Sequence, residues 1–172
     1  MNPHDEKYDR PGYYWGVKPS PMCFEVLKLM PPDRPLRLLD IGCGEGRNAV
    51  FFARNGYEVS AFDVSVKGIE KTLALAERAK VEVRAFQADL SHFRIEEEYD
   101  ILFSTGVLHY MPTSARKKIM ENYKHATIVN GLNVFRCSRS GTIGRKRAGS
   151  LSCRRPTPAP ERDLQSSNIL MP

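Results

Sequence analysis

The chain has 172 residues yet one tryptophan, four cysteines and four histidines, and it never approaches the ~20 consecutive apolar residues that a membrane-crossing helix needs. No such helix is expected. Met1-Asn2-Pro3-His4-Asp5-Glu6-Lys7 is too polar for a secretory leader, so a cytoplasmic location is expected. Cys23, Cys43, Cys137 and Cys153 lie far apart with no CxxC pair, which argues against a disulfide framework or a zinc site; the thiols are read as reduced, and no metal is expected. Nor is any serine or cysteine set out as a nucleophile. Cys43, between Gly42 and Gly44, serves as a small residue without an evident histidine partner. Charge is also lacking where nucleic acid would need it. Of 26 Lys+Arg and 20 Asp+Glu, 18 of each fall before Arg136, so the net +6 sits wholly in the last 37 residues and nucleic acid is not an expected partner.

What is there centres on residues 36 to 48, Leu36-Arg37-Leu38-Leu39-Asp40-Ile41-Gly42-Cys43-Gly44-Glu45-Gly46-Arg47-Asn48. An apolar run ends on an acid, passes three alternate glycines and enters the helical Ala49-Val50-Phe51-Phe52: strand, tight turn, helix. Alternate glycines allow unusual φ values and let a ligand lie on the main chain. Asp40 then stands at the carboxyl end of the strand, where open α/β sheets place ligands. A carboxylate there disfavours a bare pyrophosphate and points to a nucleoside without phosphates.

The remaining elements follow in order. Residues 1–19 are polar and aperiodic, with Tyr8, Tyr13, Tyr14 and Trp15 as their heavy apolar content; they read either as a lid over a ligand cleft or as packing on a sheet edge. Ser20-Pro21 starts a helix that Pro31-Pro32 ends. Asn48 is expected to cap the short helix that closes on Asn55-Gly56. A second strand, Tyr57 to Asp63, ends on an acid about 20 residues past the glycine turn, the spacing at which a carboxylate meets ribose hydroxyls. Ser65 to Ala79 is a helix with Ile69, Leu73 and Ala76 inward. A third strand covers Val81 to Gln87 and a fourth Asp100 to Ser104. Thr105-Gly106-Val107-Leu108-His109-Tyr110 leaves the fourth strand on the rim shared with Asp40 and Asp63, so it faces the ligand. His109 either accepts a proton or substrate hydrogen bond there or caps and packs. A helix from Ala115 to about His125 and an Asn130-Gly131 turn lead to a fifth strand barely begun at Phe135.

The segment Asp40 to Asn48 resembles motif I of the class I S-adenosylmethionine (SAM)-dependent methyltransferases. With Tyr13-Tyr14-Trp15-Gly16 upstream and Gly106 to Tyr110 downstream, residues 8 to 135 are most similar to the tellurite-resistance (TehB-like) branch. The resemblance implies an α/β, Rossmann-like sandwich, a mostly parallel sheet with helices on both faces. It implies SAM as cofactor, bound by Asp40, Gly42, Cys43, Gly44, Gly46, Arg47, Asn48, Asp63, Val64, Asp89, Leu90 and Thr105. Asp89 would meet the adenine amino group, its alternative being a turn cap. Tyr14 and Trp15 would touch a small-molecule substrate, with His109 and Tyr110 beside the reacting methyl. The implied activity is methyl transfer to a small acceptor, such as a tellurium, selenium or sulfur nucleophile. A non-catalytic SAM-binding remnant is one alternative. An NAD-binding oxidoreductase is another, opposed by GxGxG in place of GxGxxG.

The pattern stops at Arg136. From there Arg, Ser, Pro and Gly dominate and apolar periodicity is lost, so three regions are expected: an N-terminal segment 1–19, a SAM-binding domain 20–137 and a basic, disordered tail 138–172. The strands that complete the fold are expected to be missing or altered.

Overall fold

The computed structural model describes residues 3–137, 140–147 and 150–154. Its sheet has seven strands, β1 (Arg37–Ile41), β2 (Glu58–Asp63), β3 (Arg84–Gln87), β4 (Tyr99–Thr105), β5 (Thr127–Cys137), β6 (Ser140–Arg147) and β7 (Ser150–Arg154). They lie in the order β3-β2-β1-β4-β5-β6-β7. The first five are parallel. β6 and β7 join antiparallel.

Side chains of β1, β2, β4 and β5 alternate between two buried layers, as the two-residue period of a strand requires. Leu38, Ala61, Ile101, Phe103 and Val134 pack beneath α2 (Pro21–Leu29), α3 (Arg47–Arg54) and α4 (Val66–Ala79). Leu39, Phe62, Leu102 and Phe135 join Ile119 and Tyr123 of α5 (Thr113–Ala126) on the opposite face. Local chemistry fixes the helix ends. The Ser20 hydroxyl accepts from Met22 N–H at the start of α2, and that of Ser65 from Gly68 N–H at the start of α4. α3 closes at Asn55, with Gly56 beyond it at φ 92°. No helix among the described residues is long and apolar enough to cross a membrane.

Several expectations are corrected. A short helix, α1 (Pro3–Tyr8), stands in the aperiodic N-terminus; six residues are too few for a helical period to show. In α4 Leu73 is exposed, and Thr72 takes the inward place between Ile69 and Ala76. Asn48 is not a cap. Gly46, in the left-handed region at φ 84°, begins α3, while the Asn48 side chain accepts from Ser20 N–H (2.9 Å) and donates to Thr105 Oγ1 (3.2 Å).

The largest correction is at the C-terminal edge. β5 runs eleven residues, and β6 and β7 follow where a disordered tail was expected. Asn130, at φ 68°, absorbs a register shift rather than a chain reversal: Tyr99 pairs with Thr127, but Ile101 with Leu132. An edge hairpin is held by backbone ladder bonds, which a Ser-, Gly- and Arg-rich composition supplies as well as any other. Lys146 adds a side-chain hydrogen bond to the Thr127 carbonyl. The part of the expected tail beyond residue 154 lies outside the described residues.

Candidate functional site

The strand order reverses between β1 and β4, the point at which a crevice opens over the carboxyl ends of an open α/β sheet. A cleft of about 1120 Å³ opens there, ample for a nucleoside-sized ligand. Its floor is the glycine turn. Gly42, Gly44 and Gly46 hold φ of 69°, 58° and 84°, and the first two line the cleft. A Cβ on Gly42 would lie 2.2 Å from Val107 Cγ2, and one on Gly44 3.0 Å from the Tyr8 hydroxyl. Only bare backbone fits between these neighbours.

Asp63, at the end of β2, is buried on the cleft wall. One carboxylate oxygen accepts from Gly44 N–H (2.8 Å) and the other from Ser65 N–H (2.9 Å). These bonds bind the glycine turn to the start of α4 and leave each oxygen a further lone pair. Burial raises the Asp63 pKa, against the pull of both N–H groups.

Asp40 behaves differently. It is 1% exposed, is not among the cleft-lining residues, and its Oδ2 has no hydrogen-bond partner. The expectation that it presents charge to the ligand is corrected. It lies within the protein, its carboxyl pushed up to about 7, first by burial and then by the charge of Asp63. Gly46 is also absent from the lining; a Cβ there would meet Thr72 Cα at 2.9 Å, so it serves the packing of α3 on α4.

Cys43, Arg47, Asn48, Val64, Asp89, Leu90 and Thr105 all line the cleft. Cys43 is buried, and burial followed by the charge of Asp40 holds its thiol far from ionisation. Asp89 accepts from Ser91 N–H (2.8 Å) and Ser91 Oγ (2.6 Å). It therefore caps the turn after β3 and borders the cleft at once, with its pKa lowered chiefly by the Ser91 hydroxyl. His109 and Tyr110 sit together on the rim, ring centroids 4.0 Å apart, in a short 3-10 turn after β4. Of the two aromatic candidates upstream, Trp15 lines the cleft and Tyr14 does not.

The N-terminal segment contributes more than its sequence disclosed. His4, Lys7, Tyr8 and Lys18 line the cleft, Tyr8 is 5% exposed, and His4 meets the edge of Tyr110 at 5.3 Å. Arg136, at the end of β5, reaches the same space. The aromatic cluster was the signal available for the former; nothing in the residues around Arg136 marks it.

The fold and this cleft define the class I SAM-dependent methyltransferase architecture. The crystal structure of a TehB-like SAM-dependent methyltransferase from Corynebacterium glutamicum is 26% identical, with TM-score 0.57 over 66% of this chain and 60% of that one. TehB from Haemophilus influenzae gives TM-score 0.63 at 27% identity, over 67% of this chain and 40% of that one. A family model described as tellurite resistance protein TehB matches residues 14–142, and the chain belongs to that family. In sequence, the Haemophilus influenzae protein, named a probable S-adenosyl-L-methionine-dependent methyltransferase TehB, is 30% identical over 59% of this chain and 35% of its own length. Hemagglutinin 1 of Eikenella corrodens is 32% identical over 59% of this chain and 34% of its length. The chain thus spans about a third of the curated relatives it matches.

Proposed function

We propose that the chain is a cytoplasmic SAM-dependent methyltransferase acting on a small, soft nucleophile of tellurium, selenium or sulfur. The observation that carries this reading is the Asp63 carboxylate, locked by Gly44 and Ser65 N–H on the wall of a glycine-floored cleft. Its spare lone pairs suit ribose hydroxyls, and the bare glycine backbone suits close approach of the remainder of a nucleoside. Asp89 and Leu90 would border the base, with Arg47, Asn48 and Thr105 closing the floor. The cofactor, when bound, supplies a methyl group already activated on a sulfonium. The chain's part is then to hold the acceptor in line and keep water out. His109 and Tyr110, which line the cleft, would touch the acceptor, and Trp15 and Tyr8 would cover it. A soft nucleophile needs little help from a general base, which fits a rim that carries His109 beside Tyr110 and, among the described residues, no nucleophile-base couple.

Calorimetric titration with S-adenosylhomocysteine, with NADH as the control, tests the cleft. Micromolar binding of the first alone supports the reading, and S-adenosylhomocysteine release from SAM in the presence of tellurite, selenite or small thiols then identifies the acceptor. A folded, monodisperse sample that binds neither ligand would sink it.

A further inference from the structure

Glu45 is the one charged residue inside the glycine turn, and it does not line the cleft. Its side chain is 2% exposed and is engaged on both oxygens: Oε1 accepts from Lys71 Nζ at 2.9 Å, and Oε2 from the backbone N–H of Trp15 at 3.2 Å. The same Lys71 ammonium donates to the carbonyls of Arg10 (2.9 Å) and Gly12 (2.7 Å). Its three donors are therefore all used, two on the loop after α1 and one on the glycine turn.

This matters because little else holds that loop. From Asp9 to Lys18 no side chain is buried, so burial of apolar surface contributes little to its order, and such segments open at low cost. Its remaining anchors are sparse. Arg47 donates to the Trp15 carbonyl at 3.2 Å, and the Trp15 indole donates to the Tyr8 hydroxyl at 3.4 Å. Upstream, Asp5 accepts from the Ser65 hydroxyl at 2.6 Å. Each of these anchors reaches the glycine turn, the start of α3, α4 or Tyr8, which bound or adjoin the cleft, and the Lys7 ammonium of α1 adds a contact over the Tyr14 ring at 5.8 Å.

We infer that Glu45 and Lys71 form a latch that holds the segment from Tyr8 to Trp15 over the glycine turn, and so sets how fast a nucleoside ligand enters and leaves. The consequence for exchange rests on the cofactor reading above; the latch itself does not. Both are positioning residues, acting through the loop rather than on the reacting atoms. Lys71→Met removes all three donors and strands a buried carboxylate. Glu45→Gln is the gentler change, keeping one acceptor and losing the charge.

Trp15 is the single tryptophan of the chain, so acrylamide quenching of its fluorescence reads the loop directly. In the ligand-free protein both variants are expected to show stronger quenching than wild type, and Lys71→Arg to restore it. With S-adenosylhomocysteine bound, stopped-flow displacement should give dissociation about tenfold faster in Lys71→Met, the scale of one lost charge-assisted hydrogen bond. Wild-type quenching in both Glu45→Gln and Lys71→Met would overturn the latch, whatever the ligand does. Stronger quenching with unchanged dissociation would overturn its control of exchange. A wild-type protein that binds no S-adenosylhomocysteine would count against the cofactor reading alone, since the ligand-free quenching still decides the latch.

Discussion

Asp40, next to last in β1, and Asp63, last in β2, lie on neighbouring parallel strands, and their surroundings divide the work between them. Asp63 has its oxygens fixed by two backbone N–H groups and still faces the cleft. Asp63→Ala is expected to weaken S-adenosylhomocysteine binding by about 1.5 to 3 kcal/mol, the range for a hydrogen bond to a charged group; calorimetry showing an unchanged dissociation constant would remove Asp63 from the site. Asp40 acts on stability instead. Its carboxyl, pushed up to about 7 by burial and then by Asp63, keeps a proton in the native state that the unfolded chain has already lost. Native protein then binds more protons than unfolded protein between the ordinary carboxylate range and about 7, so stability falls as pH rises through that window and levels off above it. Asp63, also raised by burial, contributes with the same sign. Thermal unfolding of Asp40→Asn should therefore lose less stability than wild type between about pH 5 and about pH 8; equal slopes would mean that Asp40 is ionised throughout. Asp63 was legible because its spacing from the glycines is chemical information held in the sequence. The burial of Asp40 was not, because it depends on elements from elsewhere in the chain closing around it.

At the scale of elements, the glycine turn, α3 and α4 form one tightly packed corner. Gly46 pairs a φ of 84° with Thr72 so close that an added Cβ would meet Cγ2 at 2.7 Å and Cα at 2.9 Å. Gly46→Ala combines backbone strain with overpacking and is expected to cost at least about 2 kcal/mol. Denaturant unfolding checks this, and a loss under about 0.5 kcal/mol, the scale of a neutral surface change, would contradict it. The helices and strands of residues 20–126 could be read from caps and periods, since Ser20, Ser65 and Gly56 each carry a local signal. Leu73 was misread because two spacings, three and four residues, both lie on a helical face, and only tertiary packing chose Thr72. Helix α1 carries no such signal, and its interest lies in contacts to residues some sixty positions away, such as Asp5 with Ser65.

For the molecule as a whole, the antiparallel pair at the C-terminal edge changes what truncation should do. Composition alone makes residues 138 to 172 a basic, disordered tail. With β6 paired along β5 from Leu132 to Cys137, deletion from residue 138 instead uncovers the ladder of an apolar strand that contains Leu132, Val134 and Phe135, an edge prone to association. Light scattering should show that truncated protein aggregating, while a chain ending at residue 154 remains monodisperse. Aggregation of neither would show that β6 and β7 are dispensable.

The sheet order also has a consequence in time. β1 is flanked by β2, its neighbour in sequence, and by β4, whose Ile101 pairs with Leu38. During synthesis β1, β2 and β3 emerge first, and at ~5 to 20 residues per second the strand that completes the centre of the sheet follows β1 by several seconds. Until then β1 is an edge, and the rim that carries His109 and Tyr110 does not exist. On the reading proposed above, a nucleoside can hold the nascent chain only after β4 and the turn that follows it have emerged, so β1, β2 and β3 must survive that interval on their own contacts or under the protection of a chaperone.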